Sequence, residues 1–435
     1  MPRPTRWPPL APTKDIGDYL FLHGAISRWL WRIYVQRFTS AGRWCLLVSF
    51  IFIVYGGASL QLQAYVTAMY MLAIWTVAIA AMLAYRPRTR LTSSLPSRIR
   101  AGETLSIDVR VAQCGLLRGA DLVVLPHRLP PDIDSIPPAG VALGDLRRGE
   151  EAQVRVLLQC PQRGAYMLHG FRVESGFPFG ILRARQTFGQ QHALLVYPAF
   201  APLARLVLPM SRRYQPGGVA MTSQLGESFE YLGNRDYREG DNPRDIDWRA
   251  TARATRPIVR EWVEEYMLRA AVILDTHVPE ALRGKPAQRR RDDFERAVSI
   301  CASVSDYMAR QDYLVDLFAA GPDLYHLTAG RSLAYLDQIL DILACVEENS
   351  AEPFDAIEPH IAALLERLST VICVFLDWNS ARRNFAMRLR SAGVAIKVIV
   401  VSDRGCAMNP AADADLLGEV PVITREQFQQ GIGIL

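Results

Sequence analysis

Between Arg43 and Arg86 the chain carries no Asp, Glu, Lys or Arg, and a run of 42 uncharged, mostly apolar residues limits its possible folds more than any other feature. About 20 apolar residues suffice for one membrane-spanning helix, so the run predicts a helical hairpin over 44–85. The first span is expected at roughly 44–60 and the second at roughly 64–85, with Gly56, Gly57, Ser59, Gln61 and Gln63 supplying a more polar middle where the chain can turn. The run starts too far into the chain, and is too long, for a cleaved signal peptide.

The flanks set the expected orientation. Residues 1–43 hold seven basic residues against Asp15 and Asp18, and Arg86, Arg88, Arg90, Arg98 and Arg100 follow the run without an acid among them. Positive flanks stay inside, so both ends of the hairpin are expected in the cytoplasm, with 1–43 as a basic cytoplasmic segment. The stretch 19–35, with Phe21, Arg28, Trp29, Trp31 and Arg32, reads either as an interfacial helix on the bilayer or as a helix packing on the protein itself. The whole-chain net charge of +5 is already reached within residues 1–43. A dedicated nucleic-acid binder would carry a broader basic footprint, so no nucleic-acid partner is expected. Seven scattered cysteines with no C-x-x-C pair speak against a disulfide framework or a zinc site.

Over 91–200 the texture changes to short alternating runs broken by Gly and Pro. Leu105, Ile107, Val109 and Val111 alternate with Ser106, Asp108 and Arg110, which is the period of a half-buried strand. Further strands read at 122–125, 154–158, 166–173 and 194–197, and a small β-sandwich is the expected fold. His127, His169 and His192 are isolated and read as structural. From 265 to 435 helix and strand patterns alternate, and the continuous apolar runs at 270–274, 371–376 and 394–401 suit strands buried on both faces. A doubly wound α/β sheet is expected, with ligands beyond the carboxyl ends of its strands.

Between these regions, residues 226–261 crowd 8 acids and 7 arginines into 36 positions. Arginine holds a carboxylate through paired hydrogen bonds, so the stretch predicts an ion-pair network with Tyr237 and Trp248 as apolar anchors. Two readings stand side by side: a clasp fastening one domain to the next, or a docking surface.

Arg235, Tyr237, Gly240, Asp241, Arg244, Ile246, Asp247, Trp248, Ala252 and Arg253 form R-x-Y-x-x-G-D-x-x-R-x-I-D-W-x-x-x-A-R. This pattern resembles the signature of the bacterial domain-of-unknown-function fifty-eight family. Arg163-Gly164-Ala165-Tyr166 and Phe177-Pro178-Phe179-Gly180 resemble two further family segments, with Gly176 in place of a usual acid. The resemblance implies a von Willebrand factor A-like α/β domain and association with MoxR-type AAA+ ATPases, the A-type domain acting as adaptor.

An intact A-type domain holds Mg²⁺ through D-x-S-x-S and a second acid, because a hard cation takes about six oxygens. Here Asp275-Thr276-His277-Val278-Pro279 lacks both serines, and Asp377 stands at the second acid. No metal or other cofactor is expected. Asp275, His277 and Asp377 remain a degenerate candidate site, chemically conceivable for a transition metal. The chain holds no phosphate-binding P-loop, no G-x-S-x-G and no H-E-x-x-H. Arg283, Lys285, Arg289, Arg290 and Arg291 read as a basic loop before a helix beginning at Asp292. The expectation is a multidomain, non-enzymatic inner-membrane adaptor with the bilayer and a MoxR-type ATPase as partners; the alternative is a metal-dependent hydrolase or sensor using Asp275, His277 and Asp377.

Overall fold

The computed structural model describes residues 34, 37–59, 62–209, 229–254, 256–264, 269–279, 285–311, 313–320, 324–328, 333–352 and 354–435. The segment 19–35 lies outside them except for Tyr34. The chain divides into two compact units at Ala199/Phe200, except that Leu343–Cys345, the last residues of a helix in the later stretch, group with the first unit.

In the first unit, the uncharged run folds into α1 (Ser40–Ser59) and α2 (Leu62–Ala84), which pack on each other. α1 continues through Gly56 and Gly57 to Ser59, as a first helix expected to about residue 60 requires. A glycine costs a helix only about 1 kcal/mol relative to alanine. Residues 60 and 61 lie outside the described residues. The polar side chains turn back onto helix partners: Trp75 Nε1 donates to Ser49 Oγ at 3.0 Å, Ser49 Oγ to the Cys45 carbonyl at 2.7 Å, and Thr76 Oγ1 to the Leu72 carbonyl at 2.8 Å. Phe50, Met69, Tyr70 and Leu83 are exposed. Within α2, Tyr65–Ala84 is long and apolar enough to cross a membrane, with a mean hydropathy of 2.0, whereas the apolar part of α1, Ser40–Tyr55, is shorter.

The same unit continues as β1 (Thr89–Ser93), β2 (Arg98–Arg100), β3 (Thr104–Gln113), β4 (Gly119–Pro126), β5 (Asp134–Ile136), β6 (Val141–Leu146), β7 (Glu151–Gln159), β8 (Gly164–Leu168), β9 (Phe171–Ser175), β10 (Ala184–Phe188) and β11 (His192–Tyr197). They form three small sheets, ordered β1-β3-β7-β5, β10-β9-β4-β6 and β2-β11-β8. The alternation in β3 buries Leu105, Ile107, Val109 and Val111 against Leu122, Val124, Leu158, Phe171, Val173 and Leu194 in one core. The strand expected over 166–173 is broken into β8 and β9 at Gly170, whose φ of +83° suits a turn. The link between β9 and β10 meets both apolar helices. The Tyr85 ring, just beyond α2, lies 4.9 Å from that of Phe177, Thr39 Oγ1 donates to the Gly180 carbonyl at 2.6 Å, and Phe38 pairs with Leu182.

The second unit holds β12 (Phe229–Asp236), α3 (Trp248–Ala254), β13 (Ile258–Glu264), β14 (Arg269–Leu274), α4 (Lys285–Arg310), β15 (Leu314–Ala320), β16 (Leu324–Thr328), α5 (Leu333–Cys345), α6 (Phe354–Ala362), β17 (Thr370–Phe375), α7 (Ser380–Ser391), β18 (Ala395–Val401), α8 (Ala414–Leu417), β19 (Val422–Ile423) and α9 (Arg425–Gln430). Its main sheet runs β16-β15-β14-β17-β18-β19, parallel except for the β16 edge. The winding runs outward from β14 in both directions, which brings the carboxyl ends of β14, β17 and β18 together where ligand sites form in such sheets. Ala271, Ile273, Cys373, Phe375, Val398 and Val400 pack on one face with Phe354 and Ile357 of α6 and Phe385 and Leu389 of α7. The basic loop expected over 283–291 is instead, from Lys285 onward, part of α4, which packs on β14 and β15, while Arg283 lies outside the described residues.

Candidate functional site

The signature residues sit on a two-stranded arm. β12 and β13 pair antiparallel, Arg235 opposite Val259 and Asp236 opposite Ile258, and the polypeptide between them is held by the signature's own polar groups. Arg235 donates through Nη1 and Nη2 to the two Asp241 oxygens at 2.6 and 2.8 Å, and the Arg238 amide adds 2.8 Å. The Arg235 guanidinium, first, and then that amide hold the Asp241 carboxyl down at about 2. Gly240 has φ +105°, a conformation that side chains resist, and this explains the signature glycine. Asn242 Oδ1 caps the 3-10 turn Pro243–Asp245 through the Arg244 amide.

Asp247 does for α3 what Asn242 does for that turn. Its Oδ1 accepts from the Arg249 and Ala250 amides, both at 3.0 Å, the work of a helix N-cap, while Oδ2 faces Arg260 Nε at 3.4 Å. The Ala250 amide, opposed by burial and joined by Arg260, lowers the Asp247 pKa. Thr251 Oγ1 accepts from the Ile258 amide, and Ile246 bridges to Val259. Side-chain ion pairs join Arg235 to Asp241, Arg256 to Asp236 and Arg260 to Asp247.

Tyr237 and Trp248 are not the anchors expected of them. Trp248 is 71% exposed and Tyr237 38%. The arm is closed by carboxylate–amide and carboxylate–guanidinium bonds, so no aromatic is needed inside it. Arg244, Ala252 and Arg253 are exposed as well. The signature therefore splits: Arg235, Gly240, Asp241 and Asp247 build the arm, and Tyr237, Arg244, Trp248 and Arg253 face outward from it.

At the sheet, the acids at three adjacent strand ends each meet an arginine. Asp275, after β14, is fully buried; its Oδ1 accepts from the His277 amide at 3.0 Å, and its Oδ2 accepts from the Leu376 amide at 3.0 Å and from Arg382 Nε at 2.8 Å. Asp377, after β17, accepts on Oδ1 from the Trp378 and Ala407 amides, and its Oδ2 lies 3.2 Å from Arg290 Nη2. Asp403, after β18, lies 2.9 Å from Arg296 Nη2, and the same guanidinium bonds Asp293. Burial opposes charge on Arg382, yet Asp275, with Glu352 and Asp377 beyond it, keeps its pKa raised. Burial likewise opposes the Asp403 carboxylate, which Arg296 and the Arg425 amide hold below its usual value.

His277 turns away from this set. Its Nδ1 is 3.3 Å from the Ala351 carbonyl and its Nε2 3.8 Å from Glu352. Among the described residues no three His, Cys, Asp or Glu side chains come together as metal ligands. A divalent ion seated on Asp275 would have to displace a guanidinium that is itself buried. Sequence reasoning missed Arg382 and named Arg290 only as part of a basic loop. The usable signal was Asn379, whose Oδ1 caps α7 through the Arg382 amide and so fixes that arginine in the first turn, beside the strand end. A cation at a helix N-terminus is disfavoured by the helix dipole, so it needs the acids it faces.

These features define a multidomain protein that combines a helix apolar enough to cross a membrane, small antiparallel sheets, and a mostly parallel sheet flanked by helices and preceded by an arginine-rich arm. Residues 233–404, from the arm through β18, match the family described as Protein of unknown function DUF58. The uncharacterized protein YeaD of Bacillus subtilis (strain 168) is 22% identical over 193 residues, which are 44% of this chain and 45% of that protein. The match thus spans less than half of that relative's length.

Proposed function

We propose that this protein is a non-enzymatic adaptor of the bacterial inner membrane. α1 and α2 cross the bilayer as a hairpin with both ends in the cytoplasm, and the parallel sheet is a von Willebrand factor A-like domain. The signature arm docks a protein partner, and the family resemblance makes that partner a MoxR-type AAA+ ATPase.

One observation carries the reading: Trp248 stands exposed on an arm whose fold does not need it, with Arg244 and Arg253 exposed on the same arm. Trp and Arg are the residues most enriched in energetic hot spots of protein interfaces. The membrane part draws support from the basic flanks and from both helix ends meeting one short segment, Phe177–Leu182. A metal-dependent activity at Asp275 draws none from the geometry, because Arg382 already neutralises that carboxylate.

Tagged full-length protein recovered from native membranes is expected to retain the ATPase, and Trp248→Ala combined with Arg244→Ala is expected to lose it without a fall in Tm. Failure of the wild type to retain it, or equal retention by the variant, overturns the reading.

A further inference from the structure

Ile181 and Leu182, in the link between β9 and β10, are buried in a cluster with Ala78, where Phe38, Cys45, Trp75 and Met82 also pack. Ala78 lies six residues before the end of α2, about 9 Å along the axis at 1.5 Å per residue, and Trp75 about 13 Å. The 23 residues of α2 measure about 35 Å against a hydrocarbon core of about 30 Å. When α2 spans that core, the level of Ala78 is therefore inside it, and the residues packed there are at the same depth.

We propose that Phe177–Leu182 is a membrane-inserted wedge that touches lipid through Phe179. The proposal rests on the reading that α1 and α2 cross the bilayer. Phe179 is 52% exposed in the middle of this segment, between Phe177, whose ring meets Tyr85, and Ile181, which packs on the helices. Irregular backbone survives at such depth only where its polar groups are paired, and several of the groups in and beside this segment are paired with the residues leading into α1 or with one another. The Gly180 amide donates to the Gly176 carbonyl at 2.8 Å, the Gly180 carbonyl accepts from Thr39 Oγ1, the Ile181 carbonyl accepts from the Thr39 amide at 3.2 Å, and the Arg183 amide donates to the Arg37 carbonyl at 2.7 Å. The segment has no slack: a Cβ at Gly42 would overlap the Ile181 carbonyl. Arg86 and Arg88, exposed just past α2, suit an anionic headgroup layer above the wedge.

The test uses the full chain in vesicles of phosphatidylethanolamine and phosphatidylglycerol, with the photoreactive p-benzoylphenylalanine placed in turn at Phe179, at Tyr70 on exposed α2 and at Leu117, which is exposed beyond β3. Lipid adducts are expected at Phe179 and Tyr70, on the order of tenfold above those at Leu117. Adducts at Tyr70 without adducts at Phe179, or protein adducts there in place of lipid, overturn the wedge and leave the spans standing. No adduct at Tyr70 overturns the spanning reading, and the wedge with it.

Discussion

Arg382 Nε lies 2.8 Å from an Asp275 carboxylate oxygen, with 2% of the arginine side chain and none of the aspartate exposed. A buried ion pair contributes little net stability, but removing one partner strands the other charge, a loss of about 3–5 kcal/mol. Arg382→Ala is therefore expected to lose about that much, read by denaturant unfolding. The double variant Asp275→Leu with Arg382→Met is expected to recover most of it. If Arg382→Ala is as stable as the wild type, Asp275 is not held by this arginine.

The Asp241 carboxyl is held at about 2, against 3.8 for an ordinary aspartate, first by Arg235. Its contribution to stability is complete above 3.8 and is lost as pH falls through about 2, because the unfolded state takes up the proton first. A carboxyl titration followed by NMR should place the Asp241 midpoint near 2, and Arg235→Gln should move it toward the ordinary value. A normal midpoint in the wild type would contradict the paired geometry.

Cys301 and Cys373 are buried in the parallel-sheet unit and burial pushes both thiols up; Cys160 is pushed up to about 11 for the same reason. Reactivity follows the thiolate. Maleimide should label exposed Cys114 within the folded protein and reach Cys160, Cys301 and Cys373 only after unfolding. Rapid native labelling of Cys373 would contradict the burial.

Trp248 is 71% exposed, and surface substitutions of this kind stay within about 0.5 kcal/mol. Trp248→Ala alone should therefore unfold with the wild-type midpoint. A clear loss would return Trp248 to a structural role and favour the clasp over the docking surface.

Much of this architecture was legible because burial writes itself into period. The alternation from Leu105 to Val111 gave β3, and the apolar runs at 270–274, 371–376 and 394–401 gave β14, β17 and β18. Edge elements were not legible. β16 carries Tyr325 and His326 in a short, mostly half-buried stretch without a clean alternation. At the signature, the chemistry of Arg235 and Asp241 was readable from residue type, but the exposure of Trp248 was not, since an isolated Trp reads as core. Arg382 was invisible for another reason: its partner Asp275 lies more than 100 residues away and the two meet only through the sheet.

Protease access reports most directly on which side of the bilayer the folded bulk lies. With an epitope at the C-terminus, protease added to intact spheroplasts should leave the full-length band untouched, and the same protease added to inverted membrane vesicles should remove the epitope. Loss of the epitope from intact spheroplasts would contradict an anchored cytoplasmic adaptor.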